Sequence, residues 1–203
     1  WTFTFNSSAT NALVQATGRA VQFTNSSDTP STTSRTITFT ATDKNTASAS
    51  ATQTVTVTAV NDAPVLNTAQ SPAMTAINED VADGSNGGTT VATLVVDGSI
   101  TDADGSAVEA IAVSAADNTN GTWQFKAGAG SWTAFDFTAN SGKGLLLDSA
   151  DSIRFVPNSN YNGTISSGLT FYAWDKSSGS VGSYLTISGN TGGSGSLSSS
   201  SDT

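Results

Sequence analysis

The chain has 203 residues, of which 36% are hydrophobic and 11% charged, and its formal net charge is -9. It contains no cysteine and no histidine, which excludes disulfides, thiolate zinc sites and histidine-based catalysis. The 16 acidic against 7 basic residues oppose nucleic-acid binding, which requires Lys and Arg to neutralise phosphates. No apolar run approaches the roughly 18 residues of a membrane helix, whereas hard cations bound through oxygen fit this composition.

The first predicted elements are short strands within residues 1–60, where apolar and polar side chains alternate with a period of two. They cover 1–5, 20–23, 34–42 and 49–60, with a turn at Asp43-Lys44-Asn45. Four strands cannot form a two-sheet sandwich without an exposed edge. We therefore expect residues upstream, or another chain, to supply the other strands.

Residues 1–60 also match a later part of the chain at a constant offset of 132 positions, with no gap. The matched residues are mostly apolar, as a shared core would require. The pairs are Phe3 with Phe135, Phe5 with Phe137, Leu13 with Leu145, Val21 with Ile153, Phe23 with Phe155, Phe39 with Phe171, and Asp43 with Asp175. This repeat predicts that residues 1–60 are the second half of a unit whose fuller copy begins near Asn61.

The segment 52–66 ends one predicted β domain and begins the next. Val55 and Val57 alternate with threonines, Asn61-Asp62 interrupts the alternation, and Pro64 removes a backbone donor before the apolar residues resume. A join of about four residues spans at most roughly 14 Å. Two β units held close, end to end, are therefore predicted.

The second unit offers more predicted strands, separated by turn signals such as Asn120-Gly121 and Asn162-Gly163. They cover 75–77, 90–96, 109–115, 122–126, 131–137, 145–147, 152–155 and 168–174, and no stretch shows helical periodicity over three turns. The prediction is an all-β, Greek-key immunoglobulin-like sandwich enlarged by a hairpin at 122–137. Residues 177–203 are rich in Gly and Ser and are expected to be a tail, so that this unit lacks its last strand. Both ends are expected to be cut from a longer tandem array.

The order of a strand, Val-Asn-Asp-Ala-Pro at 60–64 and an apolar residue resembles the junction between tandem cadherin-like repeats of large bacterial surface proteins and adhesins. The resemblance implies tandem β-sandwiches, with 1–60 a partial repeat and 61–203 a nearly complete one, in a secreted, cell-surface protein. It implies a spacer that projects a distal binding domain, not an enzyme. Its partners would be neighbouring repeats or identical chains, and a cell-surface glycan or protein.

Acidic residues at strand ends are the candidate site. Calcium takes hard oxygen ligands in a flexible arrangement, and the resemblance implies calcium at the junction. Its ligands would be Asn61, Asp62, Glu79, Asp102, Asp104 and Asp175, with Asp43 serving a junction upstream. The chain departs from the family in having Ala59 where an Asp is common and in lacking an acidic-Arg-Glu motif, so fewer ions are expected. The alternative is that these acids are solvated turn residues.

Two other functions compete with the spacer. The incomplete units favour a subunit of an extracellular fibre, in which one chain donates an edge strand to the next. A carbohydrate-binding module would stack sugar rings on exposed aromatic side chains; the candidates are Trp123, Trp132, Trp174, Tyr161 and Tyr172. Glycoside hydrolysis needs two acids facing each other across a cleft, and acids in linker and turn motifs do not favour it.

Overall fold

A computed structural model describes residues 1–105 and 109–203. Its contacts divide the chain into two compact units, Trp1–Ala59 and Val60–Thr203. The strands pair in antiparallel sheets and helices are few, which confirms the all-β class. Within the described ranges, neither α-helix combines the length and the hydropathy needed to cross a membrane.

Unit 1 (Trp1–Ala59) consists of one helix and one hairpin. The helix α1 covers Asn11–Arg19, and strands β1 (Arg35–Thr42) and β2 (Ser48–Val55) pair from Arg35 opposite Val55 to Thr42 opposite Ser48. The predicted strands at 34–42 and 49–60 correspond to this hairpin, although the second ends at Val55. No residue of this unit is buried.

The helix α1 was not predicted, and the strands expected at 1–5 and 20–23 are absent from unit 1. Thr10 caps the helix, since its Oγ1 accepts a hydrogen bond from the Leu13 N–H at 3.3 Å. Ala12, Leu13 and Ala16 have high helix propensity. With only two and a half turns and no buried face, this helix leaves little periodicity to detect in the sequence.

Unit 2 (Val60–Thr203) carries most of the sheet structure. Its elements are β3 (Val65–Leu66), a 3-10 turn (Asp83–Ser85), β4 (Thr89–Thr90), α2 (Val91–Leu94), β5 (Ile100–Thr101), β6 (Ile111–Ala116), β7 (Gly121–Lys126), β8 (Thr133–Ala134), β9 (Lys143–Leu147), β10 (Ser152–Pro157), β11 (Leu169–Trp174), β12 (Tyr184–Thr186) and β13 (Leu197–Asp202). The strand orders are β4-β10-β7-β8, β12-β9-β6-β11-β13 and β3-β5.

The two larger sheets of unit 2 share one hydrophobic core. Trp123 and Ile153 come from one sheet, Leu145 and Phe171 from the other, and all are buried in the same cluster. A second cluster contains Leu146 and residues from β6, β11 and β13. Because neighbouring side chains on a strand point to opposite faces, Leu145 and Leu146 bury both faces of β9.

Several predicted strands of unit 2 differ from the structure. No strand covers 75–77, the segment 90–96 is mainly the helix α2, and only Thr133–Ala134 pairs within 131–137. The predicted tail 177–203 contains two strands, β12 and β13. Since β13 pairs with β11, Trp174 opposite Leu197 and Phe171 opposite Asp202, the edge that the sequence predicted to be open is occupied. The buried Leu197 anchors this strand.

Candidate functional site

The linker residues are held on unit 2 by a set of directed hydrogen bonds. The Asn61 Nδ2 donates to Asp175 Oδ2 at 2.9 Å and to the Gly195 carbonyl at 3.1 Å. The Asp62 N–H donates to Asp104 Oδ2 at 2.7 Å, and the Ala63 N–H donates to the Gly193 carbonyl at 2.7 Å. Three consecutive residues are therefore tied to separate parts of unit 2.

Two strand ends present the acidic side chains to this linker. Asp102 and Asp104 follow β5, where the Asp104 N–H donates to Asp102 Oδ1 at 2.8 Å and fixes a tight turn. Asp175 follows β11, and its Oδ1 accepts from the Ser177 N–H at 2.7 Å. These turn hydrogen bonds orient the carboxylates of Asp102 and Asp175 and the backbone of Asp104. The second oxygen of Asp175 and the Oδ2 of Asp104 accept from the linker.

The glycine-rich turn near residue 193 supplies acceptors that the sequence did not predict. Gly192 and Gly193 have φ values of 65° and 55°, a left-handed conformation that glycine adopts without strain. The carbonyls of Gly193 and Gly195 accept from Ala63 and Asn61. The Asn-Thr-Gly-Gly-Ser-Gly sequence at 190–195 is a turn signal, but only the pairing of β13 shows where this turn lies.

Glu79 and Asp43 make their contacts elsewhere. The Glu79 carboxylate is exposed and accepts from Asn162 Nδ2 at 3.3 Å. Asp43 lies in the hairpin turn of unit 1, where its Oδ1 accepts the Asn45 and Ala47 N–H groups at 2.8 and 2.9 Å. Of the predicted ligands, five are therefore linked at the entrance of unit 2, namely Asn61, Asp62, Asp102, Asp104 and Asp175.

The fit of these residues to a calcium ion is partial. Their oxygens have the right chemistry. However, no group of three acidic side chains in the described ranges is placed to hold one metal ion, and the oxygens of Asp175 and Asp104 already accept N–H groups. Calcium binding at this site stays a prediction.

The five aromatic residues proposed for sugar binding differ in exposure. Trp123 and Trp174 are buried in the two cores. Trp132 is half-buried, and the Arg154 guanidinium lies 4.5 Å from its ring centroid, where it covers one face. Tyr161 and Tyr172 are also half-buried.

A cleft of about 960 Å³ opens beside β10. Its lining includes Met74, Trp123, Tyr161 and Asn162, and Glu79 is the one acidic side chain among its described lining residues. Glycoside hydrolysis by acid–base catalysis normally uses two carboxyl groups. The cleft therefore offers polar and aromatic contacts but not the usual catalytic pair.

Comparison of the chain with protein-family models, with curated protein sequences and with solved structures gave no match.

Proposed function

We propose that this chain is a structural spacer segment of a secreted bacterial surface adhesin, in which unit 2 is one repeat. The observation that carries the proposal is the anchoring of Asn61, Asp62 and Ala63 by hydrogen bonds to three separate parts of unit 2. A spacer must keep a defined direction where the chain enters each repeat. Anchoring three consecutive residues restricts the backbone rotations that would otherwise form a hinge.

The strength of this anchoring supports the proposed role. A net hydrogen bond contributes about 1 kcal/mol, and one to a charged group contributes about 1.5 to 3 kcal/mol. Two of the bonds are made to carboxylates, Asp175 and Asp104. If together they contribute about 4 kcal/mol, the detached linker is populated at about 0.1%. The entrance of unit 2 is then stiff without a metal ion.

The architecture that accompanies this proposal is the tandem immunoglobulin-like, cadherin-like arrangement with Greek-key connections. It is supported by two antiparallel sheets that share one core in unit 2 and by the pairing of β13 beside β11. Calcium at Asn61, Asp62, Asp102, Asp104 and Asp175 is a separate part of the proposal. It would add to the stiffness that the hydrogen bonds provide.

Backbone NMR relaxation of the whole chain tests the spacer proposal. The Asp62 and Ala63 amides should give order parameters of about 0.85, as rigid strands do, in the presence of a chelator. Values below about 0.6 would contradict a stiff entrance. The Asn61→Ala variant should raise the detached population about 30-fold, to about 3%, which is measured by hydrogen exchange at Ala63 and not by order parameters. Asn67→Ala is the matched control, since the exposed Asn67 side chain accepts the Ala69 N–H within its own turn.

A fibre subunit assembled by strand exchange is the second candidate. It is favoured by unit 1, in which no residue is buried and in which β1 and β2, as far as the described residues show, pair only with each other. The outer edges of a two-stranded hairpin such as β1–β2 can accept strands from other chains. Sedimentation over a range of protein concentrations separates the candidates, because a heat-stable polymer would favour the fibre and a persistent monomer would contradict it.

A further inference from the structure

Unit 1 exposes apolar side chains whose counterparts in unit 2 form the core. The offset of 132 positions relates the two sets. The exposed fraction is 57% for Phe3 against 6% for Phe135, 51% for Leu13 against 0% for Leu145, and 37% for Phe39 against 3% for Phe171. The same sequence pattern is therefore buried in one unit and open to solvent in the other.

Unit 2 shows what covers these positions. Its main core cluster has two halves, and the residues after position 132 have apolar counterparts in unit 1, except that Leu147 corresponds to Gln15. The half before residue 132 consists of Leu66, Val91, Leu94, Val95, Ile100, Ile111, Val113 and Trp123. Unit 1 contains no counterpart of that half, which explains why its apolar side chains have nothing to pack against.

The conformation of α1 has the same explanation. The segment that matches α1 in unit 2 begins with strand β9, Lys143–Leu147, which lies between β6 and β12. Within unit 1 no strand pairs with residues 11–19. An extended segment without a partner leaves its backbone groups unpaired, whereas a helix satisfies them locally. The missing neighbour therefore favours a helix at positions that are a strand in unit 2.

The matching strand ends agree in detail. Thr42, the last residue of β1, corresponds to Trp174, the last residue of β11. Their partners do not share the offset, since Ser48 lies opposite Thr42 and Leu197 lies opposite Trp174. Asp43 and Asp175, which follow these strands, each accept the N–H of the residue two positions later. The repeat is therefore structural at this end, and its buried face differs because one half is not covered.

We propose that the apolar face of unit 1 is a docking surface for one occupant, a segment with the apolar pattern of residues 61–132. By this name we mean the exposed Phe3, Phe5, Val21, Phe23 and Phe39 together with the half-buried Ile37; the Arg35 guanidinium lies 5.6 Å from the Phe23 ring centroid. Docking would bury it and convert residues 11–15 from helix to strand, as β9 is in unit 2. The constant offset means that residue 132 corresponds to the position immediately before Trp1. A segment joined there reproduces the connection found in unit 2.

The test compares the chain with a version that carries a copy of residues 61–132 directly ahead of Trp1. In the extended version the Cα chemical shifts of residues 11–15 should change from helical to extended values. Amide exchange at Ile37 and Phe39 should slow by about 100-fold or more, as expected for core strands. The control carries Ile111→Asp and Val113→Asp in the added copy. These changes remove two apolar residues of the strand that would pair with residues 11–15. The control should therefore give helical Cα shifts at residues 11–15.

A disulfide checks the register independently of overall stability. In unit 2, Ala112 lies opposite Leu146, whose counterpart in unit 1 is Val14. The chain has no cysteine of its own. A pair made by Val14→Cys and by Ala112→Cys in the added copy should therefore form a disulfide, and a pair that uses Leu13→Cys should not.

Three results would overturn the proposal. One is that residues 11–15 stay helical and exchange at Ile37 and Phe39 stays fast in the extended chain. Another is that the disulfide forms equally in both registers. The third is that the original chain dimerises and protects residues 1–59, which would make a second copy the occupant. Order parameters at Asp62 and Ala63 test the spacer proposal separately, so failure of one is distinguishable from failure of the other.

Discussion

Replacing Asn61 by alanine removes the side chain that connects the linker to two parts of unit 2. The amide loses its hydrogen bonds to Asp175 Oδ2 and to the Gly195 carbonyl. The bond to a carboxylate contributes about 1.5 to 3 kcal/mol and the bond to a carbonyl about 1 kcal/mol. Because Asn61 is only half-buried, water partly replaces both, and we expect a net loss of about 2 kcal/mol.

Hydrogen exchange measures this loss where it occurs. A change of about 2 kcal/mol should accelerate exchange of the Ala63 amide by about 30-fold, while amides of the core strand β9 change little. The Asn67→Ala variant, which removes an exposed asparagine four residues beyond Ala63, should leave the Ala63 amide unchanged. Exchange at Ala63 within two-fold of the original chain in Asn61→Ala would refute the view that this side chain anchors the linker.

Three further predictions concern stability. Leu145→Ala should lower the free energy of unfolding by about 3 kcal/mol in a urea titration, because Leu145 is fully buried. The control is Leu13→Ala at the matching position of unit 1, which should change this free energy by less than about 0.5 kcal/mol because Leu13 is exposed. Partial burial of Asp148 opposes its ionisation and raises its pKa. Lys176, through a hydrogen bond and its positive charge, and Ser149, through hydrogen bonds, have the larger combined effect, so that the pKa of Asp148 is lowered. Its contribution, about 0.5 kcal/mol for so exposed a pair, is complete above the unfolded pKa near 3.8 and is lost as the pH falls through the lower folded pKa. Lys176→Met should reduce this pH dependence of the urea midpoints between pH 6 and pH 2, and the Ser149 hydrogen bonds should maintain the rest. Addition of 1 mM calcium should stabilise by about 0.4 to 1.4 kcal/mol for a dissociation constant of roughly 0.1 to 1 mM, and an unchanged melting temperature by calorimetry would contradict calcium binding.

Strands whose side chains alternate into a core were predictable from the sequence. Leu145 and Phe171 lie in predicted strands, and the structure buries both in β9 and β11. By contrast, β13 reads Leu-Ser-Ser-Ser-Ser-Asp, and only its first residue carries an apolar signal. Its pairing depends on β11 and on a glycine turn far from any hydrophobic run. Such strands are specified by tertiary contacts and not by local pattern.

The hairpin of unit 1 was predicted, but the secondary structure of residues 1–23 was not, because periodicity assumes a partner strand. Val21 and Phe23 alternate as a strand would, and their counterparts Ile153 and Phe155 are a strand in unit 2 because Gly121–Lys126 pairs beside them. No such neighbour lies within residues 1–59. The apolar alternation therefore predicts the strand that these residues would form beside a partner strand. The observed conformation depends on the contacts that are present in unit 1.

The candidate site was predictable where the sequence places acids directly after strands. Asp102, Asp104 and Asp175 meet these conditions and are linked through Asn61 and Asp62. Glu79 does not directly follow a strand, because the segment 75–77 that was expected to position it is not a strand. Its carboxylate is therefore directed by a loop contact with Asn162 and not by a sheet.

The hydrogen bonds that the carboxylates at the entrance of unit 2 already accept determine how much stiffness a bound cation could add. In a metal-bridged junction an ion holds the acids together, whereas here the N–H groups of the linker itself contact Asp104 and Asp175. Each carboxylate oxygen can accept more than one partner, so a cation can bind without displacing the linker. Since the backbone direction is already fixed by those hydrogen bonds, the ion would mainly reduce repulsion between neighbouring acids. In the proposed spacer, the stiffness of the entrance would therefore depend first on the N–H groups of the linker, and on calcium only as an addition.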